Sequence, residues 1–468
     1  MIAVDPRAGP PSAAARESPG LGRPLSEVAG REPLFVEPTA TVADVALAMR
    51  EGHCSCAVVT SRPLGIVTNG DLARVVAERR PPDTPVGQLM SSPVHTLPAS
   101  APLIRALLLM LDEGIEHVLV MRGERVTGVV TDVDVMRQQS ASPLLVADRI
   151  RRAGAGGPHA LGDLSADLAG VAAALLADGI DGLRIAAVVA GLRDALTARM
   201  LQLAVQELGP PPGQYAWLAL GSQGRMEQLL HSDQDTALAF AEPAGEAGEY
   251  FPALAQRVTD GLAAAGVPRC PGGFMATNWC RPLGEWQRTF LGWLDEPNAR
   301  GLLDAQVFLD LRPVGGELDV GVLDRTLARG RHRPGIQLAL AQTARRFTPR
   351  TRRFRLVRAD RLGPDEPKLR GTVPIVLLGR LYGLAAGSSE RTTAGRMRAA
   401  ADANLISADT ADTLLDAYAV LLTVRLRTEL GGGDPAPLSA PQRRELQGAL
   451  HAVRSALQAS ALAFPNPG

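Results

Sequence analysis

Hydrophobic positions near the front of the chain form a pattern that occurs twice. Pro33-Leu-Phe-Val-Glu-Pro38 is echoed sixty residues later by Pro93-Val-His-Thr-Leu-Pro98. Helical spacing follows each, over Val42 to Met49 and Leu103 to Leu111. Each helix runs through a glycine (Gly52, Gly114) into a short apolar strand, Cys56-Ala-Val-Val59 or His117-Val-Leu-Val120. The copies close on Gly65-Ile-Val-Thr-Asn-Gly-Asp71 and Gly128-Val-Val-Thr-Asp-Val-Asp134. The pattern predicts two strand–helix–strand–strand–helix units, 26–85 and 86–145. The preceding segment, 1–25, is rich in Pro, Ala, Gly and Arg without an apolar core region, and disorder is expected there.

From Leu164 to Leu208 the period becomes helical. Leu168, Val171, Leu175 and Leu176 form one stripe, Leu192, Leu196, Met200 and Leu203 another, with a break at Gly179 to Gly182. Pro210-Pro-Pro-Gly213 ends this predicted connector, 146–212. Tyr215 to Leu220 then reads as a buried strand, Gly221-Ser-Gln-Gly-Arg225 as a turn entering a helix, and Ser232 to Phe240 as a second strand. Gln306-Val-Phe-Leu-Asp310-Leu-Arg312 reads as an apolar strand with one acid aimed out of the core, free for chemistry or paired with Arg312 at a sheet edge. Beyond about residue 333 the period is helical again, with Leu414, Leu415, Tyr418, Leu421 and Leu422 on one face. The expected fold is multidomain α/β and all-α: a tandem α/β pair, a helical connector, a mixed-sheet α/β domain over 213–330 and a helical bundle over 331–468.

A chain of 468 residues with 49 basic and 49 acidic side chains can bury several cores, and its zero net charge provides no global field for nucleic acid or an anionic membrane. The richest local basic run, Arg345-Arg346 through Arg358, reads as a solvated face or as a polyanion site. Lys368 is the only lysine among the 49 basic residues, a bias that fits a GC-rich genome. Cys54, Cys56, Cys270 and Cys280 match neither a zinc knuckle nor a disulfide framework, so a reduced, cytoplasmic chain is expected. No run approaches about 20 consecutive apolar residues, so no membrane span is expected.

The candidate chemistry lies in two places. Thr68-x-x-Asp71 and Thr131-x-x-Asp134 stand where a strand turns into a helix. There a hydroxyl and free N–H groups can hold phosphate while the acid accepts from ribose; the same spacing is also a helix capping box needing no ligand. In the second place, strand alternation puts Asp233 and Asp235 on one face. Two carboxylates so close repel unless a divalent cation neutralises them. Gly221 lets backbone approach a phosphate, Ser222 can donate to it, and the N-terminus of the following helix favours negative charge. Arg225 reads as a phosphate contact or as an ion-pair partner of Glu227. Lys368 and Arg370 would bring positive charge to the site or be solvated, and Gly272-Gly273 through Asn278 would line it as a loop.

The repeat resembles a tandem pair of CBS domains, which implies adenine nucleotide binding in the groove between them through Thr68, Asp71, Thr131 and Asp134, and a homodimer. Gly-Ser-x-Gly-Arg followed by Ser-Asp-x-Asp resembles the polymerase β-like nucleotidyltransferase superfamily, in the subset related to protein-PII uridylyltransferase. Pro268-Arg-Cys-Pro-Gly-Gly-Phe-Met-Ala-Thr-Asn278, Phe308-Leu-Asp-Leu-Arg-Pro313, Pro367-Lys-Leu-Arg-Gly-Thr-Val-Pro-Ile-Val376 and Arg380-Leu-Tyr-Gly-Leu-Ala-Ala386 resemble the DUF294 family with its C-terminal substrate-binding domain. The resemblance implies transfer of AMP or UMP from a nucleoside triphosphate to a protein or small-molecule hydroxyl. Asp233, Asp235 and Asp310 would then be the catalytic carboxylates holding two Mg²⁺ ions, with Gly221, Ser222, Arg225 and Lys368 on the triphosphate. Two rivals stand beside it: a degenerate transferase that senses adenylates and signals by contact, and an RNA-directed transferase, against which the zero net charge weighs.

Overall fold

The computed structural model describes residues 20–29, 33–52, 54–137, 142–152, 164–241, 247–296, 299–349, 367–432 and 438–465. The expected disorder of residues 1–19 and the arginine run beyond residue 349 lie outside them. The chain divides into two compact units, 1–142 and 143–468.

The first unit holds the repeat. A 3-10 turn, Gly20–Gly22, and α1 (Leu25–Val28) precede β1 (Phe35–Val36), α2 (Val42–Glu51), β2 (Cys56–Val59), β3 (Gly65–Thr68) and α3 (Asn69–Ala77). The second copy runs β4 (Thr96–Pro98), α4 (Leu103–Glu113), β5 (His117–Arg122), β6 (Arg125–Thr131) and α5 (Asp132–Arg137). Each copy forms a three-stranded sheet, β1-β2-β3 or β4-β5-β6, whose first pairing is parallel and second antiparallel. Val42, Val45 and Met49 of α2 fill one core with Ala57, Val59 and Val67. Val58, Leu119 and Val126 form a cluster between the copies. One boundary differs from expectation. Leu21 and Leu25 are fully buried, and the amides of Leu25 and Leu103 donate to Ala101 and Arg23 (2.8 Å each), so residues 20–25 are ordered against the second copy.

The second unit is built around a four-stranded sheet in the order β10-β7-β8-β9. Its strands are β7 (Tyr215–Ala219), β8 (Thr236–Phe240), β9 (Cys280–Pro282) and β10 (Arg312–Gly316). β7 is antiparallel to β8 and β10, and β9 is parallel to β8. Helices α6 (Pro143–Arg152), α7 (Leu164–Ala177) and α8 (Gly182–Leu208) lead in, and the four-residue α9 (Gly221–Gly224) follows β7. α10 (Ala247–Ala264), α11 (Leu283–Asp295), α12 (Ala299–Phe308) and α13 (Gly321–Ala328) complete the α/β part. Trp286, Phe290 and Phe308 pack with Leu218 and Ala237 in its core. The remaining helices are α14 (Pro334–Arg346), α15 (Val373–Ala386), α16 (Thr393–Asp402), α17 (Ala408–Leu430) and α18 (Ala440–Ala463).

Two expectations are corrected by this packing. α8, read as part of a connector, lies against α10, α17 and β10 and belongs to the body of the second unit. Its apolar stripes have several partners, so 14 of its residues are buried. The strand expected over residues 306–312 is helix to Phe308 and turn through Asp310, with β10 beginning at Arg312. α15 bears on the expectation that no segment spans a membrane. With the turn before it, Pro367–Ala386 is long and apolar enough to cross a membrane by length and composition. It carries Arg380, and 67% of its most apolar 18-residue window is buried within the chain, as in a core helix of the bundle.

Both repeat turns form caps. Thr68 accepts from the Asp71 amide (3.3 Å), and Asp71 Oδ2 accepts from the Thr68 amide (2.9 Å). Thr131 and Asp134 do the same at 3.3 and 3.0 Å. Arg74 holds the other oxygen of Asp71 at 2.8 Å. Thr68→Ala should therefore destabilise the first unit by about 1 kcal/mol. Chemical denaturation followed by a probe in residues 20–142 checks this, and an unchanged midpoint would contradict it.

Candidate active site

A cleft of about 540 Å³ opens in the second unit, lined by Gly221, Ser222, Asp233, Asp235, Lys368 and Arg380 among others. The backbone explains how the sequence reaches this arrangement. The Leu220 amide donates to the Asp235 carbonyl (2.8 Å) and Gln234 bridges Arg269, so the chain is extended on either side of Gln234 before β8 proper. Gln234 points inward, its amide donating to Thr259 and Val267 at 3.2 and 2.9 Å. Alternation then turns Asp233 and Asp235 together into the cleft.

Asp235 meets the Gly-Ser turn closely. Gly221 has φ of +53°, and a Cβ there would lie 2.5 Å from Asp235 Oδ2, so a side chain is excluded on both counts. Ser222 lies on the same cleft wall. α9 is one turn long, so the expected contribution of a helix N-terminus to anion binding falls away: four residues align too few peptide dipoles.

Donor atoms of Asp233, Asp235 and Cys270 all lie within 4.8 Å of one another, and among the described residues these three form the group that could hold a metal ion. Burial, then the Asp233 charge, pushes the Asp235 carboxyl up to about 6. Burial pushes the Cys270 thiol up to about 11, leaving it protonated at neutral pH. The donor set is thus two hard carboxylates whose mutual repulsion a divalent cation would relieve, which fits Mg²⁺.

Asp310 does not join that group. It is fully buried and faces three guanidiniums: Arg396 at 2.5 Å, and Arg225 and Arg380 in close contact. Burial alone would raise its pKa, but Arg380, Arg225 and Arg396 hold it far below the usual carboxylate range. The structure thus places Asp310 in a turn as a buried counter-ion of three arginines, and not on the expected strand. Arg225 is likewise committed, to Asp310 and to Glu227 at 2.8 Å. Glu227 in turn accepts from the Thr393 amide (2.6 Å), the Thr393 hydroxyl (2.9 Å) and Tyr418 (2.8 Å). Arg225 therefore lines the cleft as part of a structural network and is no free phosphate contact.

Three further placements matter. Lys368 lines the cleft from the turn before α15, while Arg370 donates to the Arg346 and Thr348 carbonyls outside it. The 272–278 loop packs on β8, with the Thr236 amide donating to Phe274 (2.9 Å), and contributes none of the residues lining the cleft. Sequence reasoning missed Arg193 and Asp194 of α8. Arg193 donates to the Ser232 and Leu230 carbonyls at 2.8 and 2.6 Å and so holds the approach to Asp233. Asp194 accepts from Gln223 (2.9 Å) and Arg312 (2.6 Å), bracing the Gly-Ser turn. An arginine between the apolar stripe residues Leu192 and Leu196 was the available signal.

Comparison with known proteins places these parts. The family model described as "Putative nucleotidyltransferase DUF294" matches residues 166–300. The model described as "Putative nucleotidyltransferase substrate binding domain" matches residues 335–464, and the CBS domain model matches 25–78 and 86–141. An uncharacterised protein of Methanopyrus kandleri is 33% identical over 129 residues, 26% of this chain and 64% of that relative, so the match spans under two thirds of its length. Among solved structures, an uncharacterised conserved protein from Pyrococcus horikoshii is similar at 24% identity, covering 25% of this chain and 92% of that one, with a TM-score of 0.24. A CBS domain protein from Pyrobaculum aerophilum complexed with AMP is similar at 26% identity, covering 27% and 97%, with a TM-score of 0.23.

The two kinds of aspartate predict opposite stability effects. Asp235 has its folded pKa raised from 3.8 to about 6, so its ionisation costs stability that is present in full below about 3.8 and lost as pH rises through 6. Asp235→Asn should raise the thermal midpoint of the metal-free protein at pH 7, and the gain should vanish as pH falls through this window. Asp310→Asn removes the charge facing three buried guanidiniums and should cost about 3–5 kcal/mol at pH 7. Calorimetric scans of both variants across pH check this; an Asp310→Asn protein as stable as wild type would contradict the counter-ion role.

Proposed function

We propose that this chain, a member of the DUF294 nucleotidyltransferase family with a CBS pair at its front, moves AMP or UMP from a nucleoside triphosphate to a protein or small-molecule hydroxyl, releasing pyrophosphate. The observation that carries the reading is the placing of Asp233 and Asp235 opposite Gly221 and Ser222 in one cleft. The paired carboxylates would hold Mg²⁺, which when bound neutralises phosphate charge and lowers the pKa of a coordinated hydroxyl. Gly221, lacking a side chain, leaves room for the α-phosphate beside Asp235, and Ser222 donates its hydroxyl to a phosphate oxygen. Arg193 and Asp194 hold the two loops in register, so the reacting groups meet without further reorganisation. With Asp310 spent on guanidiniums, the geometry supports cation binding by the Asp233–Asp235 pair and offers no support for a third aspartate ligand.

The second unit's activity is proposed to answer to an adenine nucleotide bound by the CBS pair. What supports this is the recurrence of one hydroxyl-and-acid turn, Thr68–Asp71 and Thr131–Asp134, in both copies. An effector acts only through differential affinity for two states, so the coupling should be about 1–3 kcal/mol, a several-fold change in rate.

Two measurements test these readings. Incubation with α-labelled ATP or UTP, Mg²⁺ and host-type lysate should give a labelled acceptor with wild-type protein. Asp233→Asn and Asp235→Asn should abolish labelling with the fold intact, and wild-type turnover by Asp235→Asn would remove the central claim. Calorimetry should find AMP, ADP or ATP binding to the full chain that Asp71→Ala and Asp134→Ala weaken; no binding at millimolar ligand would end the effector reading.

A further inference from the structure

Beside the two acids lies a sulfur that the transfer reaction leaves unused. Gln234 bridges Arg269 in parallel, and the Gln234 amide donates to the Pro268 carbonyl (2.9 Å). Asp235 and Cys270 each stand one residue past that bridge, so alternation turns both to the same side. Arg269 reaches Asp260 of α10 instead. The Cys270 carbonyl accepts from Gly273 (3.1 Å), closing a turn in which Gly273 has φ of +76°. The thiol donates to Asp235, and the backbone amide of Phe274 donates to its sulfur. An amide aimed at sulfur favours the thiolate and fixes the direction in which it can bind a metal. Cys54, Cys56 and Cys280 join no comparable group of donors among the described residues.

Two carboxylates suffice for magnesium, which takes oxygen ligands in octahedral geometry and keeps several of its waters. A third donor that is sulfur suits a different ion. Zinc is borderline-soft and accepts thiolate and carboxylate on one tetrahedral centre, its fourth position staying open when the protein supplies three ligands. Adjacent ligands on such a centre stand about 3.5 Å apart, so donors already within 4.8 Å of one another need shifts on the order of 1 Å to close on it.

We propose that Asp233, Asp235 and Cys270 form an inhibitory zinc site: zinc takes the two carboxylates that magnesium needs and is retained by the sulfur that magnesium leaves alone. This rests on the Asp233–Asp235 pair being the magnesium site of the transfer reaction, and it adds a regulator to that site. On binding, the S–H bond breaks, its proton passes to solvent and a Zn–S bond forms, with nothing oxidised or reduced. Free zinc then sets how much of the protein can take magnesium.

The test uses the full-length protein, stripped of metal and loaded with one equivalent of Zn²⁺. X-ray absorption at the zinc edge should show one sulfur beside oxygen ligands in wild type and no sulfur in Cys270→Ser. Oxygen ligands alone in wild type overturn the site, and so does a sulfur that persists in Cys270→Ser, because another cysteine then holds the ion. Competition with a zinc-binding dye, beside a magnesium titration, should find zinc-over-magnesium selectivity reduced at least about tenfold in Cys270→Ser. Damaged packing alone weakens both cations and leaves that ratio unchanged, so an unchanged ratio also counts against the proposal. In the labelling assay with Mg²⁺, stoichiometric zinc should suppress transfer by wild type; full transfer by the zinc-loaded protein removes the inhibitory role. The two readings fail separately. Sulfur-bound zinc without any label transfer under magnesium alone sinks the transferase reading, and transfer that needs Asp235 while zinc finds only oxygen sinks the zinc site.

Discussion

A single carboxylate, fully buried at Asp310, ties the Gly-Ser turn to two of the C-terminal helices. Three guanidiniums converge on it: Arg225 from the turn after α9, Arg380 from α15 and Arg396 from α16. Arg396 also donates to the Leu309 carbonyl at 2.5 Å, and Gly224 packs so tightly that a Cβ there would lie 2.0 Å from the Asp310 carbonyl oxygen. Burying charge is costly unless it is paired and hydrogen-bonded, and this cluster is both. Its consequence is positional. The Gly-Ser turn cannot move without disturbing the ion network, and the network cannot form without the C-terminal helices. The cleft is therefore made by the α/β part and the bundle together.

A second constraint acts from the other side. Arg193, buried in α8 with its pKa pushed down to about 10 by that burial, reaches the backbone just before Asp233. Asp194, its neighbour, bridges Gln223 to Arg312. Adjacent residues on one helix thus fix both loops whose approach defines the candidate active site.

What the sequence made legible was local. The repeat was readable because two copies carry the same apolar alternation and the same turn, and the Asp233/Asp235 pair was readable because strand period puts alternate residues on one face. Gly221 and Ser222 followed from the strand before them. The surroundings of Asp310 were not legible because its partners stand 70 to 86 residues away, and nothing in an apolar run with one acid distinguishes a ligand from a counter-ion. α8 was misread for a related reason: its stripes correctly announced a buried helix, but periodicity is silent on what does the burying. Cys270 joins the acids only because residues 267–270 run beside 232–235, a pairing that the separation in sequence conceals.

The Asp233–Asp235 pair, and not Asp310, is proposed to hold the cation against a donor triphosphate. Crystals grown with Mn²⁺ and a non-hydrolysable nucleoside triphosphate, measured at a wavelength where manganese scatters anomalously, test it most directly. An anomalous peak is expected between the carboxylates of Asp233 and Asp235, with the α-phosphate beside Ser222 and Asp310 still bound by its three arginines. A peak coordinated by Asp310, or a triphosphate seated away from Gly221 and Ser222, would contradict it.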